Sequence, residues 1–518
     1  MVKKQTNQLR SGAILSYVNL ALSSLIPFFY TPVMLEILGK SEYGLYSLSS
    51  SAISYLSLLS FGFGGTILRY LSMYRARGEK EKEEEAFGFF VLLYVGVAVL
   101  ILIGGAIIAQ NVEAIFHKGL TVSELDKMKI LVMLMTLSSA VSFPISVFSS
   151  VVMAHEKYIF RKLVDMLSTV LVPLSNLVVL YLGYGSVGMA VVSVCIQLSM
   201  LPINGWYCIK VLHVRPRFAK MPWGLIREML SFSAFVFIGT IVDMLFWSTD
   251  KILLGMYTST AIVAVYNIGC TFNNMVLNLS TSISGVLTPR ITAMVTTDTK
   301  TEQLTELFIR VGRLQYIIVA LIISGFTVFG QSFIELWAGK SYAAAYWIAI
   351  VTMFSLCIPL IQNTGLSIVT AQNKHQFRAI VYLIIAIANV VATYFCIPRW
   401  GGFGAAACSG VAYLLGQGVV MNLYYWKVTG LNIPLFWKNI FQMSVVPAMM
   451  IVAGLVLKKH FLWNQWKNFF VGVIVFTAVY GILMYCFSMN EYEKDIFKTL
   501  LRRVYLSSKW LRGILKKK

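Results

Sequence analysis

The sequence predicts an all-α integral membrane protein with about 14 transmembrane helices, arranged as two pseudo-symmetric six-helix lobes plus two C-terminal helices. Hydrophobic residues make up 58% of the 518 residues and charged residues only 13%, about half the charged share of a soluble domain. Long apolar runs recur along the whole chain, and one stretch of sequence is repeated far downstream. These observations exclude an ordinary soluble protein.

The repeated stretch begins at Ala154 and again at Ala371. The first copy reads AHEKYIFRKLV and the second reads AQNKHQFRAIV, and each opens an apolar span. Identical residues occur at an offset of 217 in Ala154/Ala371, Lys157/Lys374, Phe160/Phe377, Arg161/Arg378 and Val164/Val381, and at 216 in Gly188/Gly404, Ala190/Ala406 and Ser193/Ser409. We infer a duplicated unit of roughly 215 residues. Membrane proteins built this way place their binding site between the repeats.

Apolar runs bounded by charges or by Gly and Pro predict the individual spans, which must be helical because a lipid-exposed backbone has to satisfy its own hydrogen bonds. The predicted spans are 12–38, 43–73, 86–110, 128–153, 159–182, 186–211, 225–254, 260–292, 305–334, 343–370, 377–398, 402–427, 437–457 and 467–488. They define an N-terminal lobe (1–211), a cytoplasmic linker (212–224), a C-terminal lobe (225–428), spans 13 and 14 (429–488) and a basic amphipathic tail (489–518).

The distribution of Lys and Arg predicts that both termini lie in the cytoplasm. With the N-terminus inside, 32 of the 43 basic residues face the cytoplasm and 9 face outward, which is the bias that orients membrane proteins. The net charge of +21 therefore reflects orientation and does not indicate a nucleic-acid partner. The basic tail is expected to lie on anionic inner-leaflet lipid.

Signs of enzymatic chemistry are missing from the sequence. It contains no HExxH, GxSxG or GxxxxGKS/T motif, and its five histidines and seven cysteines form no metal-ligand pattern. The loops between predicted spans are short, which disfavours a glycosyltransferase or polymerase with a catalytic outer loop. We therefore expect a transporter with no catalytic residue, metal or cofactor, coupled to a proton or sodium gradient.

Charged residues inside spans are candidate functional positions, because burying a charge in a bilayer is costly. Arg69 and Arg290 lie at near-equivalent repeat positions when GLYSL and AVYNI are aligned at an offset of 220. Two such guanidinium groups at the inner mouth of a cavity would suit a phosphate. Snorkelling to the membrane surface is the alternative for Arg69.

Span 7 carries Asp243, Asp250 and Lys251. We treat both aspartates as candidate ion-coupling residues and Lys251 as a candidate substrate contact. The alternative for Asp250 and Lys251 is an interfacial pair near a helix end. The alternative for Asp243 is a carboxylate that a neighbouring serine or asparagine satisfies.

Span 8 carries polar residues along one helix face at intervals of three or four: Asn267, Thr271, Asn274, Asn278 and Ser282. Each asparagine amide has four hydrogen-bonding sites to satisfy, so a wet cavity that binds sugar hydroxyls explains this face better than packing does. Asn274 and Asn278 are the substrate-binding candidates, and Gln362 and Asn363 in span 10 are expected to join them. Helix packing explains the span 2 serines, such as Ser50, Ser54 and Ser57, at least as well.

The region from Phe28 to Gly78 resembles the opening helices of a known family. Its motif residues are Leu38, Gly39, Tyr43, Gly44 and Tyr46, followed by the basic-aromatic pair Arg69 and Tyr70. The stretch STDKILLGMYTSTAIVAVYNIG, from Ser248, is similar to the junction of helices 7 and 8 in that family. The family is that of bacterial oligosaccharide-lipid flippases, the O-antigen- and capsule-type translocases within the multidrug/oligosaccharidyl-lipid/polysaccharide exporter superfamily.

This resemblance implies an alternating-access flippase that moves an undecaprenyl-pyrophosphate-linked oligosaccharide from the inner to the outer leaflet for surface polysaccharide synthesis. It implies that basic cavity residues hold the pyrophosphate, and Arg69 and Arg290 match that role best. Polysaccharide polymerase and glycosyltransferases are the expected protein partners. An ion-coupled multidrug extruder and an exporter of lipid II or teichoic-acid precursors are the alternatives.

Overall fold

The computed structural model describes residues 2–218, 233, 237–296, 301–372, 374–458, 463 and 465–499. Within these ranges all regular secondary structure is helical. The α-helices are α1 Val2–Ser54, α2 Gly64–Ala76, α3 Lys80–Phe116, α4 Val122–Ala154, α5 Tyr158–Tyr181, α6 Gly185–Trp206, α7 Thr249–Tyr257, α8 Thr260–Thr296, α9 Thr301–Trp337, α10 Ala345–Ile361, α11 Asn363–Ala371, α12 His375–Tyr413, α13 Asn422–Lys427, α14 Ile433–Lys458 and α15 Trp466–Leu483. Residues 237–247 and 491–499 are also helical.

Ten helical stretches in the described ranges are long and apolar enough to cross a membrane, and α10 with α11 adds an eleventh that is bent by 42°. Two of the ten, with 62 and 52 residues, far exceed the ~20 residues of one span. Each contains a glycine with positive φ, Gly39 at 71° and Gly401 at 51°, at a predicted turn between two spans. The predicted all-α membrane fold is confirmed, although residues 225–232 and 234–236 of predicted span 7 lie outside the described residues.

Predicted span 2 is not one continuous helix, contrary to the sequence-based expectation. Helix α1 ends at Ser54, a 3₁₀ segment covers Tyr55–Ser60, and α2 begins at Gly64. Between them Phe61 and Gly62 have φ of 49° and 71°. Left-handed backbone at two consecutive residues interrupts the hydrogen-bond ladder of an α-helix, and the glycines of this stretch make that conformation accessible.

The described contacts divide the chain into two compact units. The first contains Met1–Cys270 and Gln376–Ala412, and the second contains Thr271–His375 and Tyr413–Lys518. These groupings of contacts have different boundaries from the predicted lobes, and the lobe assignment stays a prediction. In the first unit, α2, α3 and α4 pack around a core that includes Ile67, Phe87 and Val151, each with no exposed surface.

Part of the predicted linker is described, and it packs on α3. Residues 213–218 form no regular structure, and the backbone amide of Arg217 donates a 3.0 Å hydrogen bond to the Glu84 carbonyl. The Arg217 side chain pairs with Glu81 at 3.5 Å. Residues 219–224 of the linker lie outside the described residues.

The start of the predicted tail is tied to α9 by a buried ion pair. Arg313 Nε donates to Glu493 Oε1 at 2.6 Å and Nη2 donates to Oε2 at 2.9 Å. The two side chains are only 7% and 2% exposed. Arg313 also donates to the Ser488 carbonyl at 2.9 Å. Residues 500–518, which hold most of the predicted amphipathic tail, lie outside the described residues.

Candidate functional site

Asp250, at the start of α7, is a fully buried carboxylate with two hydroxyl partners. Its Oδ2 accepts hydrogen bonds from Tyr266 Oη at 2.5 Å and from Ser409 Oγ at 2.8 Å. Tyr266 lies on α8 and Ser409 on α12, so three helices of the first unit meet at this group.

Three buried oxygen atoms around Asp250 have no hydrogen-bond partner among the described residues. They are Asp250 Oδ1, Asn389 Oδ1 and Thr393 Oγ1. Asn389 donates through Nδ2 to Ser409 Oγ at 3.1 Å, and the Thr393 hydroxyl lies beside the Asp250 carboxylate. Asn389 and Thr393 are four residues apart on α12, and so share a helix face.

Unsatisfied oxygens in a buried site are costly, because each loses its hydrogen bonds to water without replacement. A proton on Asp250 would turn one carboxylate oxygen into a hydrogen-bond donor for a neighbour, and a monovalent cation would find carboxylate, amide and hydroxyl oxygens in this group of residues. Hard cations take oxygen ligands from carboxylates, amides and hydroxyls. No group of three His, Cys, Asp or Glu residues with metal-binding geometry occurs in the described chain. We call Asp250, Asn389, Thr393 and Ser409 the Asp250 cluster.

The other two candidates of span 7 are placed differently from Asp250. Lys251 is half-buried next to Cys270, and the described residues contain no ion pair between Lys251 and Asp250. Asp243 is exposed, and it is close enough to Arg378 for an electrostatic interaction. The two aspartates are therefore not equivalent, and among the described residues Asp250 alone of the two has a formed set of polar neighbours.

The two arginine candidates belong to different compact units. Arg69 is exposed on α2, whose opposite face buries Ile67, Tyr70 and Leu71. Arg290 lies on the described backbone of α8, but its side chain is outside the described residues. Their placement at one cavity mouth stays a prediction.

The polar residues of α8 occupy two faces. Asn274 and Asn278 are exposed on one face, and their substrate-binding role stays a prediction. An amide exposed in an apolar span needs water or another polar partner, since lipid tails offer none. Asn267, on the same face, donates to Tyr43 Oη at 2.7 Å and serves packing. The side chain of Ser282 is outside the described residues.

The second polar face of α8 was not predicted. Asn273 donates to Thr352 Oγ1 at 2.5 Å, and Gln315 on α9 donates to Ser284 Oγ at 2.6 Å. Asn273 and Gln315 are both buried, at 1% and 0% exposed. The spacing of Asn273, Ser280 and Ser284 in the sequence could have shown this face, but nothing in it identifies the partner helices.

Gln362 is fully buried and does not line a wet cavity, so the expectation that it joins Asn274 and Asn278 is wrong. It lies at the break between α10 and α11, where its Nε2 donates to Asn422 Oδ1 at 2.8 Å. Gln417 Nε2 donates to Gln362 Oε1 at 3.2 Å. An amide network of this kind satisfies the side chain within the protein.

Two carboxylates join helix ends in the first unit, and neither was predicted from the sequence. Glu124 forms a capping box with Thr121 at the start of α4 and accepts from Thr260 Oγ1 at 2.6 Å and from Ser41. Glu42 accepts from the Ser186 backbone amide at 2.7 Å. The TVSE motif at 121–124 was a visible capping signal. The partners of Glu124 at Ser41 and Thr260 could not be read from spacing.

Comparisons with known proteins identify relatives over almost the whole chain. A family model described as polysaccharide biosynthesis protein matches residues 9–295. The uncharacterized membrane protein EpsK of Bacillus subtilis (strain 168) is 19% identical over 504 residues, covering 93% of this chain and 96% of the relative. The uncharacterized membrane protein MJ1068 of Methanocaldococcus jannaschii is 20% identical over 513 residues, covering 95% and 98%.

Solved structures of membrane transporters share the fold. A lipid II flippase, MurJ, in an inward closed conformation aligns with a TM-score of 0.71 at 14% identity, covering 91% of this chain and 99% of that one. A multidrug resistance MATE family transporter of the MOP superfamily in an inward-facing conformation aligns with a TM-score of 0.60 at 12% identity, covering 82% and 99%. The family match covers more than half of the chain and confirms the resemblance found in the sequence: this chain belongs to the polysaccharide biosynthesis protein family.

Proposed function

We propose that this protein is a flippase that moves an undecaprenyl-pyrophosphate-linked oligosaccharide from the inner to the outer leaflet of a bacterial plasma membrane. The family match over residues 9–295 carries the proposal, and the transporter fold of the described helices supports it. The sugar polymer would be a surface polysaccharide such as O-antigen or capsule. Both termini would lie in the cytoplasm, as the distribution of basic residues predicts.

In this proposal the polyprenyl tail stays in lipid while alternating access carries the polar head across. Arg69 and Arg290 would bind the pyrophosphate, since guanidinium groups form paired hydrogen bonds with phosphate oxygens. Asn274 and Asn278 would bind sugar hydroxyls, and Lys251 would be a further substrate contact. The exposure of Arg69, Asn274 and Asn278 is what these roles require.

We further propose that the Asp250 cluster couples transport to a proton or sodium gradient. A buried carboxylate with an unpartnered oxygen changes its local interactions strongly when it gains a cation. The cluster joins α7, α8 and α12 of the first unit, so binding there would alter the packing of three helices. Asp243 is the second candidate, and its exposure beside Arg378 fits the coupling role less well.

Purified protein in liposomes tests the flippase proposal directly. A fluorescent undecaprenyl-pyrophosphate-linked oligosaccharide is incorporated, and dithionite then quenches the label in the outer leaflet only. We expect protein-containing liposomes to lose nearly all fluorescence, and empty liposomes to lose about half because unflipped lipid stays protected. Equal protection in both samples would contradict the proposal. An imposed sodium or proton gradient should change the rate if the Asp250 cluster couples transport.

A multidrug extruder is the second candidate, favoured by the alignment with a multidrug resistance transporter. Such a protein would lower the cellular accumulation of lipophilic cations and leave lipid-linked sugars where they were made. Measuring accumulation of a lipophilic cation with and without the protein separates the extruder from the flippase.

Polysaccharide polymerase and glycosyltransferases remain proposed protein partners of this protein. Anionic inner-leaflet lipid is the proposed partner of the basic tail.

A further inference from the structure

A cavity of about 300 Å³ in the first unit is lined mainly by serines. It lies between α1 with its 3₁₀ extension, α4 and α6. The hydroxyl-bearing residues around it are Tyr46, Ser50, Ser54, Ser57, Ser138, Ser139, Ser142 and Ser193. We call this space the serine cavity. Ser138, Ser139 and Ser142 lie near the middle of α4, so the cavity is far from both ends of that helix.

The serine cavity contains no charged side chain in its lining. Hydroxyl groups make up most of its polar surface, and Gln197 on α6 adds an amide. A phosphate or a carboxylate would find no counter-charge here, and its burial would be costly. The lining therefore fits a ligand that is polar, uncharged and rich in hydroxyl groups.

The hydroxyls of the lining keep hydrogen-bonding capacity for a ligand. Ser57 donates to the Ser54 carbonyl at 2.6 Å and Ser142 donates to the Ser139 carbonyl at 2.6 Å. The oxygen lone pairs of Ser57 and Ser142 therefore stay available as acceptors. Ser50 and Ser139 make no side-chain hydrogen bond to the described residues, so their hydroxyls can both donate and accept. Sugar hydroxyls are donors that match such acceptors. Gln197 makes no hydrogen bond to the described residues, so its amide is also available.

Helix packing alone does not explain these serines. Small polar residues that hold membrane helices together let the helix backbones approach closely, which leaves no space between them. Here three helices leave a space that would hold about ten waters. The neighbouring backbone is also irregular, with the 3₁₀ segment Tyr55–Ser60 followed by positive φ at Phe61. Irregular backbone inside a membrane is tolerated where it lines a cavity or packs on protein.

We propose that the serine cavity binds an uncharged sugar residue of the lipid-linked substrate. The inference rests on the proposed flippase function and adds a specificity to it. The sugar held there would be a neutral hexose or N-acetylhexosamine, and a uronic or other acidic sugar at that position would bind poorly. Phosphate recognition would be separate, at basic residues outside this cavity.

Binding measurements on the full-length protein in nanodiscs test the proposal. Three probes are compared: farnesyl diphosphate, the same lipid diphosphate linked to an N-acetylglucosamine disaccharide, and its counterpart linked to a glucuronate-containing disaccharide. We expect the neutral disaccharide to improve the Kd at least tenfold over the sugar-free lipid, and the acidic disaccharide to improve it little.

The variant carrying Ser50→Ala, Ser139→Ala and Ser142→Ala should lose most of that advantage. We expect a tenfold or greater loss for the neutral disaccharide probe, as for three lost hydrogen bonds of ordinary strength, and an unchanged Kd for farnesyl diphosphate. The matched control is Ser199→Ala on α6, because Ser199 is exposed and donates to the Ile196 carbonyl at 2.7 Å. It should leave every Kd unchanged. The unchanged Kd for farnesyl diphosphate also shows that the triple variant is folded.

The outcomes separate this inference from the proposed function. Equal binding of farnesyl diphosphate and the neutral disaccharide probe would overturn the serine cavity as a sugar site and leave the lipid-diphosphate transporter intact. A full sugar advantage in the triple variant would overturn it as well. Failure of all three probes to bind the wild-type protein would contradict the flippase proposal, and the sugar site with it.

Discussion

Tyr266 donates a 2.5 Å hydrogen bond to the fully buried carboxylate of Asp250, and Ser409 donates to the same oxygen at 2.8 Å. The second carboxylate oxygen has no hydrogen-bond partner among the described residues, and neither has the amide oxygen of Asn389. This asymmetry distinguishes Asp250 from a carboxylate that is only held in place by its neighbours. The unpartnered oxygen is the position at which we propose that a cation binds reversibly.

The variant Asp250→Asn should fold but transport poorly. The amide keeps the size of the carboxylate and its acceptor oxygen, but it carries no charge and cannot be protonated near neutral pH. We expect the flipping rate in liposomes to fall at least tenfold and to lose its response to a sodium or proton gradient. Asp126→Asn is the control, since Asp126 is exposed and its ion pair among the described residues is with the half-buried Lys129 at 3.6 Å. A gradient response that survives in Asp250→Asn would contradict the coupling role.

The buried ion pair between Arg313 and Glu493 should be important for stability. Arg313→Gln leaves the Glu493 carboxylate buried without its charge partner, at a cost of about 3–5 kcal/mol. The double variant Arg313→Met with Glu493→Leu removes both charges and should be destabilised much less. Arg310→Gln is the control, because Arg310 is 47% exposed and its pair with Glu306 should contribute at most about 1 kcal/mol.

Unfolding of the purified protein in mixed micelles with increasing SDS measures these differences. Equal stability of Arg313→Gln and Arg310→Gln would show that the Arg313–Glu493 pair is not needed to hold the chain after α15 against α9.

Two glycines make a matched test of close helix contact. A Cβ on Gly44 of α1 would clash with the carbonyl oxygen of Thr260, whereas a Cβ on Gly96 of α3 meets nothing within 4 Å. Gly44→Ala should therefore be destabilising, because the start of α8 has to move. Gly96→Ala should be neutral, or stabilising by about 0.5–1 kcal/mol through higher helix propensity. The same SDS titration measures both, and a tolerated Gly44→Ala would contradict the close approach of α1 to α8.

The arginine variants Arg69→Ala and Arg290→Ala should each impair export of polysaccharide while leaving insertion into the membrane intact. Each would remove a guanidinium group from the proposed pyrophosphate contacts. Export is measured as surface polysaccharide per cell, and insertion as the amount of protein in isolated membranes. Arg399→Ala serves as a control at an arginine outside the proposed contacts. Full export by the double variant would remove both residues from the proposed site.

The fold was predictable because a bilayer leaves a long apolar segment few alternatives to a helix. The turns at Gly39 and Gly401 followed from charge and glycine patterns. The break at Phe61 and Gly62 did not, because phenylalanine with positive φ is not a pattern that propensity predicts. Apolar content alone also could not distinguish one kinked span from two separate helical segments.

The site was only partly predictable. Asp250 could be identified because a charge within an apolar run is rare and costly. Asn389 and Thr393 are 139 residues or more further along the chain, and neutral polar residues in spans are common as helix contacts. The pairing of Arg313 with Glu493 spans 180 residues and has no local signal. Gln362 was wrongly expected to line a wet cavity, because the hydrogen bonds of a polar residue in a span can be satisfied entirely by other amides.

The amount of lipid-linked oligosaccharide on each leaflet, in cells depleted of this protein, tests the central proposal most directly. The flippase account predicts that the precursor accumulates on the cytoplasmic face and that re-expression relieves the accumulation. The accumulated lipid would also provide the substrate for mass spectrometry. An unchanged distribution between the leaflets, together with altered sensitivity to lipophilic cations, would contradict the account and favour a drug extruder.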